Sequence, residues 1–311
     1  MNNESLASIG TPLQSPTVAT PIVTQFLFID SRVPDLQSIV HAAQPGTQVV
    51  VLQPDQDGVA QMASALQGHS GLESISVVSH GAEGLVLLGN GPLFAGNIAQ
   101  HATDLATIGN ALSSTGDLLL YGCDVGAGEA GASFLATLAE LTGADVAASS
   151  DSTGGTDARG RSGDWDLEIT TGTIDHAPVI DATELAGYDF LLHTASVSTV
   201  AQLKAAIATG NADGVADTIT LTANITFASS ADAITINVTD GQTMSIVWGG
   251  FTLIGGNFAR VLDVQAGSVA IDNLTITNGK LSGNGGAAGA GGAAGAGGDS
   301  LGAGIKNAGT L

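Results

Sequence analysis

The sequence predicts an α/β domain built on a doubly wound, mostly parallel sheet, followed by an all-β segment of the parallel β-helix type. Two observations predict the first part. Five short apolar runs alternate with four stretches of helical periodicity between residues 25 and 149, and the apolar runs lack the polar alternation of a half-exposed strand. One observation predicts the second: from residue 196, Thr, Asn, Gly and Ile rise, and short strand-like runs recur at near-regular spacing.

Residues 1–24 are rich in Ser, Thr, Pro and Ala with almost no charge, and read as a flexible leader. They lack a basic region followed by an apolar one, so no Sec-type signal is visible. "QFLFID" (25–30) is a strand, and "VPDLQSIVHAA" carries Val33, Leu36, Ile39 and Val40 at helical spacing. The unit repeats in "TQVVVLQP" with "GVAQMASALQG", then in "SISVVSH" with a helical segment near "NIAQHATDLATIGNAL". It repeats again in "DLLLYGC" with "AGASFLATLAELTG", and ends on "ADVAAS". "GDWDLEIT" and "ELAGYDFLL" close a domain over residues 25–192.

Beyond it, the amphipathic "STVAQLKAAIATG" reads as an end cap on the β-helical segment. "DTITLTANITF", "AITINVTDGQTMSIVWGGFTLIGG" and "RVLDVQAGSVAIDNLTITNG" are short strands, each closed by Gly, Asn or Asp, as stacked β-helix coils are. The β-helical start therefore spans 196–311, joined to the first domain by few contacts. Within it, the Gly/Ala-rich stretch 283–300 has no side chains to bury and reads as a flexible loop between coils. No Lys or helix start comes after it as a phosphate cradle would need. The final "GAGIKNAGTL" stops in a strand-like pattern, so the chain is expected to be the front of something longer, with any export signal in the missing C-terminal part.

Composition narrows the function. With 7 Lys+Arg against 29 Asp+Glu and a net charge of -22, the surface repels phosphate backbones and anionic lipid heads, so nucleic acid is not an expected partner. No run approaches the roughly 18–20 apolar residues of a membrane span. A content of 44% hydrophobic residues and 44 Gly suits a sheet-rich, turn-rich secreted protein rather than a disordered acidic chain. No cofactor and no metal is expected.

Two motifs carry chemistry. "SISVVSHGAEG" (74–84) ends a strand on His80, and "DLLLYGCDVGAG" (117–128) ends the next on Cys123, the only cysteine. In a sheet of strand order 2-1-3-4 these two carboxyl ends are neighbours, facing the crevice where such sheets hold ligands. A thiol needs a base to become a thiolate nucleophile, and imidazole serves. Gly81 allows a tight turn and its N–H, with that of Cys123, can meet a developing oxyanion beside the helix starting near Gly128. The bland alternative is a buried structural thiol and a strand-end histidine that only packs. His41, His69, His101, His176 and His193 fall on helices, loops or the domain edge and read as bystanders.

"VVSHG" and "LLLYGC", each ending a strand of an α/β sheet, resemble the caspase-like clan of cysteine peptidases, which includes clostripain, gingipains, legumain and separase. More narrowly, "FIDSRVPD", "VVSHGAEG", "LLLYGCDVGAG", "ASSDSTGG" and "GDWDLE" resemble the uncharacterised domain at the amino end of giant bacterial surface and repeat proteins. The resemblance implies a three-layer caspase-like α/β fold with His80 as base and Cys123 as nucleophile. Gly122 stands where many clan members have Ala, and the segment after Cys123 differs, so no specificity pocket carries over. Asp151 is a candidate for binding a basic substrate side chain, although an Asp before Ser, Thr and Gly is commonly a turn former. Residues 196–311 resemble the opening coils of right-handed β-helix adhesins.

Two functions are compatible with these readings. One is a cysteine endopeptidase domain of a bacterial secreted or cell-surface adhesin-like protein, cutting its own chain or a neighbouring polypeptide, with a host or cell-surface ligand for the β-helix. The other is a non-catalytic folding cap or binding module of a β-helical adhesin.

Overall fold

The structure is a computed structural model that describes residues 23–272, 275–280 and 303–311. The expected leader, apart from Val23 and Thr24, and the whole of the expected loop 283–300 lie outside the described residues.

The expected alternation of strand and helix forms. β1 (Gln25–Asp30), α1 (Leu36–His41), β2 (Thr47–Leu52), α2 (Gly58–Ala65) and β3 (Leu72–Val78) come first. A small antiparallel sheet of β4 (Gly81–Ala82), β5 (Leu85–Leu88) and β6 (Gly91–Phe94) interrupts the pattern, with Gly84 turning at φ 66°. α3 (Ala102–Ala111), β7 (Leu112–Tyr121), α4 (Gly128–Thr142), β8 (Asp145–Ala148) and β9 (Ile169–Thr170) complete the series. The sheet runs β2-β1-β3-β7-β8-β9, parallel throughout except that β9 pairs antiparallel with β8. The chain is thus a mixed α/β protein with mostly parallel sheets.

Both faces of the sheet are buried, which is why its strands read as unbroken apolar runs. On one face Phe26 and Phe28 pack with Met62 of α2, Leu105 of α3 and Phe134 of α4. On the other, Leu27 and Ile29 pack with Ile39 of α1 and with Val179, Tyr188 and Leu192 of an irregular segment. That second face carries one short helix plus coil, because Gly172, Pro178 and Gly187 punctuate the chain there.

After residue 192 the core changes. β10 (Ala195–Val197) is followed by α5 (Val200–Gly210), whose N-cap Thr199 accepts the Gln202 N–H and which buries Leu203 and Ile207. The chain then lays strands in rotation on three parallel sheets. β11 (Asp217–Leu221), β14 (Thr243–Val247) and β17 (Ser268–Asp272) extend β10; β12 (Ile225–Thr226), β15 (Thr252–Ile254) and β18 (Thr275–Thr277) form the second sheet; β13 (Ile234–Asn237), β16 (Leu262–Ala266) and β19 (Ile305–Asn307) form the third. Ile219, Ile246, Leu253, Ile236 and Val264 point into one shared core around Trp248.

A small set of polar and aromatic contacts joins the two cores. Arg32, just past β1, donates from Nε and Nη2 to Asp272 Oδ2 at 3.0 and 2.9 Å, and from Nη1 to the Asp30 carboxylate and to Gly89 O at 2.6 Å. Arg159 pairs with Asp213 and lies 3.7 Å from Asp217, Phe94 meets Phe251, and the hydroxyls of Thr194 and Thr220 are 2.7 Å apart. Buried carboxylates at strand ends need cations, and a chain with 7 of them spends two on these crossings.

Arg32 is 8% exposed and Asp30 not at all, so Arg32→Ala strands a buried carboxylate. Urea unfolding should show a loss of about 3–5 kcal/mol. Asp272 is 32% exposed, and Asp272→Asn should cost about 1 kcal/mol or less. Equal losses for the two variants would refute this account of the tie.

Candidate functional site

The strands β1, β3 and β7 are adjacent and parallel, so their carboxyl ends deliver Asp30, His80 and Cys123 to one end of the sheet. Between β1 and β3 the strand order reverses, which opens the usual ligand crevice of such a sheet. The approach of the second and third strand ends is unusually close. A Cβ on Gly122 would lie 2.7 Å from Ser79 O, and one on Gly81 would lie 2.7 Å from Cys123 O and 2.5 Å from a Val125 methyl. Neither glycine has a positive φ, so the requirement is space rather than backbone conformation.

That approach turns two amides to one side. The N–H of Gly81 donates to Leu192 O at 2.9 Å, and the N–H of Cys123 donates to the same oxygen at 3.2 Å. Leu192 belongs to a segment that threads the site as a strand would. Its N–H donates to Thr153 O at 2.9 Å, Gly155 N–H donates to Phe190 O at 2.9 Å, and Thr194 N–H donates to Gly81 O at 3.0 Å. Leu191 pairs antiparallel with Gly154, and His193 pairs parallel with Gly81.

His80 and Cys123 flank this segment without bonding to each other. His80 Nδ1 lies 3.1 Å from His193 O and Nε2 lies 3.3 Å from Arg32 O. A neutral imidazole has one N–H, so only one of these carbonyls can receive a proton. Burial lowers the His80 pKa from 6.5, opposed by the nearby Asp30 carboxylate. The Cys123 sulfur accepts the Thr153 N–H at 3.2 Å and offers its own proton to Thr153 O at 3.4 Å. It is fully buried, and burial pushes the thiol up to about 12. The site holds a neutral thiol beside a neutral imidazole. α4 begins at Gly128, where the expected helix start lies.

Asp151 is exposed, and its carboxylate sits with those of Asp164 and Glu168, whose oxygens lie within 4.8 Å of one another. The Leu192 side chain packs instead among Tyr121, Cys123 and Tyr188. Sequence reasoning missed two contributors. One is Asp30, although "FID" ends a buried strand as "VSH" does, and that shared pattern was the available signal. The other is the 190–194 segment, where His193 contributes a backbone carbonyl that no side-chain motif announces.

Among comparisons with known proteins, residues 26–192, more than half of the chain, match the family described as Domain of unknown function (DUF4347). No curated protein and no solved structure matches the chain.

Two measurements check the electrostatics. Against an ordinary thiol of pKa 9.0, a value of about 12 cuts the thiolate fraction at pH 8 about 10³-fold. Iodoacetamide should therefore modify Cys123 at least about 10²-fold more slowly in the native protein than in urea, and equal rates would contradict the burial. His80 and His193 both have folded pKa values below 6.5, so the unfolded chain takes up protons that the folded one declines. Their contribution to stability is complete above pH 6.5 and is lost as pH falls through the lowered folded values. The urea midpoint should drop from pH 7.5 to 5, and His80→Gln should flatten that drop.

Proposed function

The chain belongs to the DUF4347 family, and from that premise we propose that residues 25–192 are a caspase-like cysteine endopeptidase domain, with Cys123 as nucleophile and His80 as base. It belongs to the N-terminal part of a large bacterial secreted or surface adhesin-like protein, and it processes its own chain or a neighbouring one. The observation that carries the reading is the convergence of the Gly81 and Cys123 amides on one carbonyl oxygen, the arrangement that stabilises the oxyanion of acyl transfer. His80, one residue before Gly81, stands against the carbonyl of the next residue along the same segment. The rotation of strands through three parallel sheets supports a β-helix from residue 196, with α5 as its cap and a host or cell-surface ligand as its partner.

The chemistry asks each residue for one act. His80 takes the Cys123 thiol proton as sulfur attacks a carbonyl carbon, the two amides hold the oxygen as charge develops, and the imidazolium returns the proton to the departing amine. Water then hydrolyses the thioester and restores the thiol. In the conformation described, the sulfur is engaged with Thr153, so the domain is latent until Cys123 exchanges that partner for His80.

One observation favours the second reading, a non-catalytic folding cap. Cys123 is 0% exposed and both its sulfur partners are backbone groups, as in a structural thiol.

Labelling with a peptidyl thiol-reactive electrophile at neutral pH separates the two. The peptidase reading expects Cys123 to be modified, and His80→Ala to slow both labelling and processing by about 10²–10⁴-fold. Processing that continues in Cys123→Ala, with no His80-dependent labelling, would leave the cap.

A further inference from the structure

We infer that the substrate of this site is the protein's own Leu192–His193 bond, cut in cis, with Leu192 as the acyl residue. The inference rests on the peptidase reading and specifies its substrate.

Five backbone hydrogen bonds argue for it together. A scissile carbonyl must have its oxygen in the oxyanion site, and the oxygen bound there by Gly81 and Cys123 is that of Leu192. A peptide substrate must also be held in register on either side of that carbonyl. Thr153 O receives the Leu192 N–H, Gly155 N–H donates to Phe190 O two residues upstream, and Gly81 O receives the Thr194 N–H two residues downstream. The Cys123 amide that binds the oxygen belongs to the nucleophile itself. His80 Nδ1, 3.1 Å from His193 O, is on the side of the leaving group.

The acyl side chain is defined as well. Leu192 is fully buried among Tyr121, Tyr188 and Leu185, an apolar setting that suits a leucine and excludes a charged residue. Asp151, exposed on the acidic cluster, has no part in holding it. On the open side, a cavity of about 590 Å³ is lined by Phe190, Leu191, His193, Arg159 and Asp217, so it reaches residues on both sides of Leu192. It offers space on the His193 side for the departing amine.

Atoms and protons balance in the cleavage. The Cys123 S–H proton passes to His80, a bond forms between Sγ and the Leu192 carbonyl carbon, and the Leu192–His193 C–N bond breaks. The proton on His80 goes to the His193 nitrogen, which becomes a new amino terminus. Water attacks the thioester, its oxygen bonding the Leu192 carbonyl carbon as the C–S bond breaks; one of its protons passes through His80 to the Cys123 sulfur and the other leaves to solvent, giving the Leu192 carboxylate and the free thiol. Cleavage there separates the six-stranded sheet from the three parallel sheets, at the last residue of the family match.

The test uses the whole 311-residue chain, purified as wild type and as Cys123→Ala, with unfolding curves to establish that both are folded. Intact mass and amino-terminal sequencing are followed during incubation, and a Phe-Leu-Leu chloromethyl ketone reports separately on the nucleophile. A fragment beginning at His193, reduced at least about 10²-fold in Cys123→Ala, is the expected result. Cys123-dependent cleavage at another bond, or His80-dependent labelling by the ketone with no cleavage at all, overturns the inference while the peptidase reading stands. Cleavage at Leu192–His193 that is undiminished in Cys123→Ala overturns both.

Discussion

The close approach of two backbones at the ends of β3 and β7 is the constraint on which the rest depends. Ser79 N–H bonds to Tyr121 O at 3.0 Å, and the glycines at 81 and 122 leave no room for a Cβ between the two segments. Because the backbones touch, the amides of residues 81 and 123 face one point, and a single carbonyl can satisfy both. That carbonyl comes from Leu192, which draws the 190–194 segment across the sheet's end and closes the coil-covered face of the core. The neighbouring Thr194 then ties this segment to β11 through Thr218 O and Thr220. A two-glycine contact therefore sets the site and also the exit path of the chain.

Much of this was legible in the sequence, for reasons that can be located. Apolar runs such as "FLFI" and "LLLY" mark strands buried on both faces, so the mostly parallel sheet could be read from them, whereas the order 2-1-3-4 that makes the His80 and Cys123 strands neighbours was a condition of the reading. The two amide donors, at Gly81 and Cys123, were named from the strand-end motifs that hold them. Three things were not legible. The β4–β6 meander carries "LVLL" with no alternation to distinguish it from a central strand. The irregular segment 174–192 acts through main-chain groups, which every residue possesses. The ion pair between Arg32 and Asp272 spans 240 residues, and nothing local in either neighbourhood names the other.

The segment in the cleft has an electrostatic role beyond its hydrogen bonds. Leu192 is fully buried in the same core cluster as Cys123, and desolvation leads the causes of the pKa shifts of both Cys123 and His80. The Leu192 backbone works against this, lowering the thiol's pKa less than burial raises it.

The long reach of the Arg32 contact bears on how the chain is made. With synthesis at about 5–20 residues per second, Asp272 emerges after Arg32 by roughly 12–50 s. For that interval the guanidinium has only Asp30 and its carbonyl partners, while β1, β2 and β3 already have the strand neighbours they need. His193, 113 residues after His80, emerges about two thirds of the way through that interval. The nascent sheet is thus complete before its crevice is filled, and the crevice is filled before its rim is locked by charge. Chain order alone thus makes the strand ends available to each other before the residues that cover them.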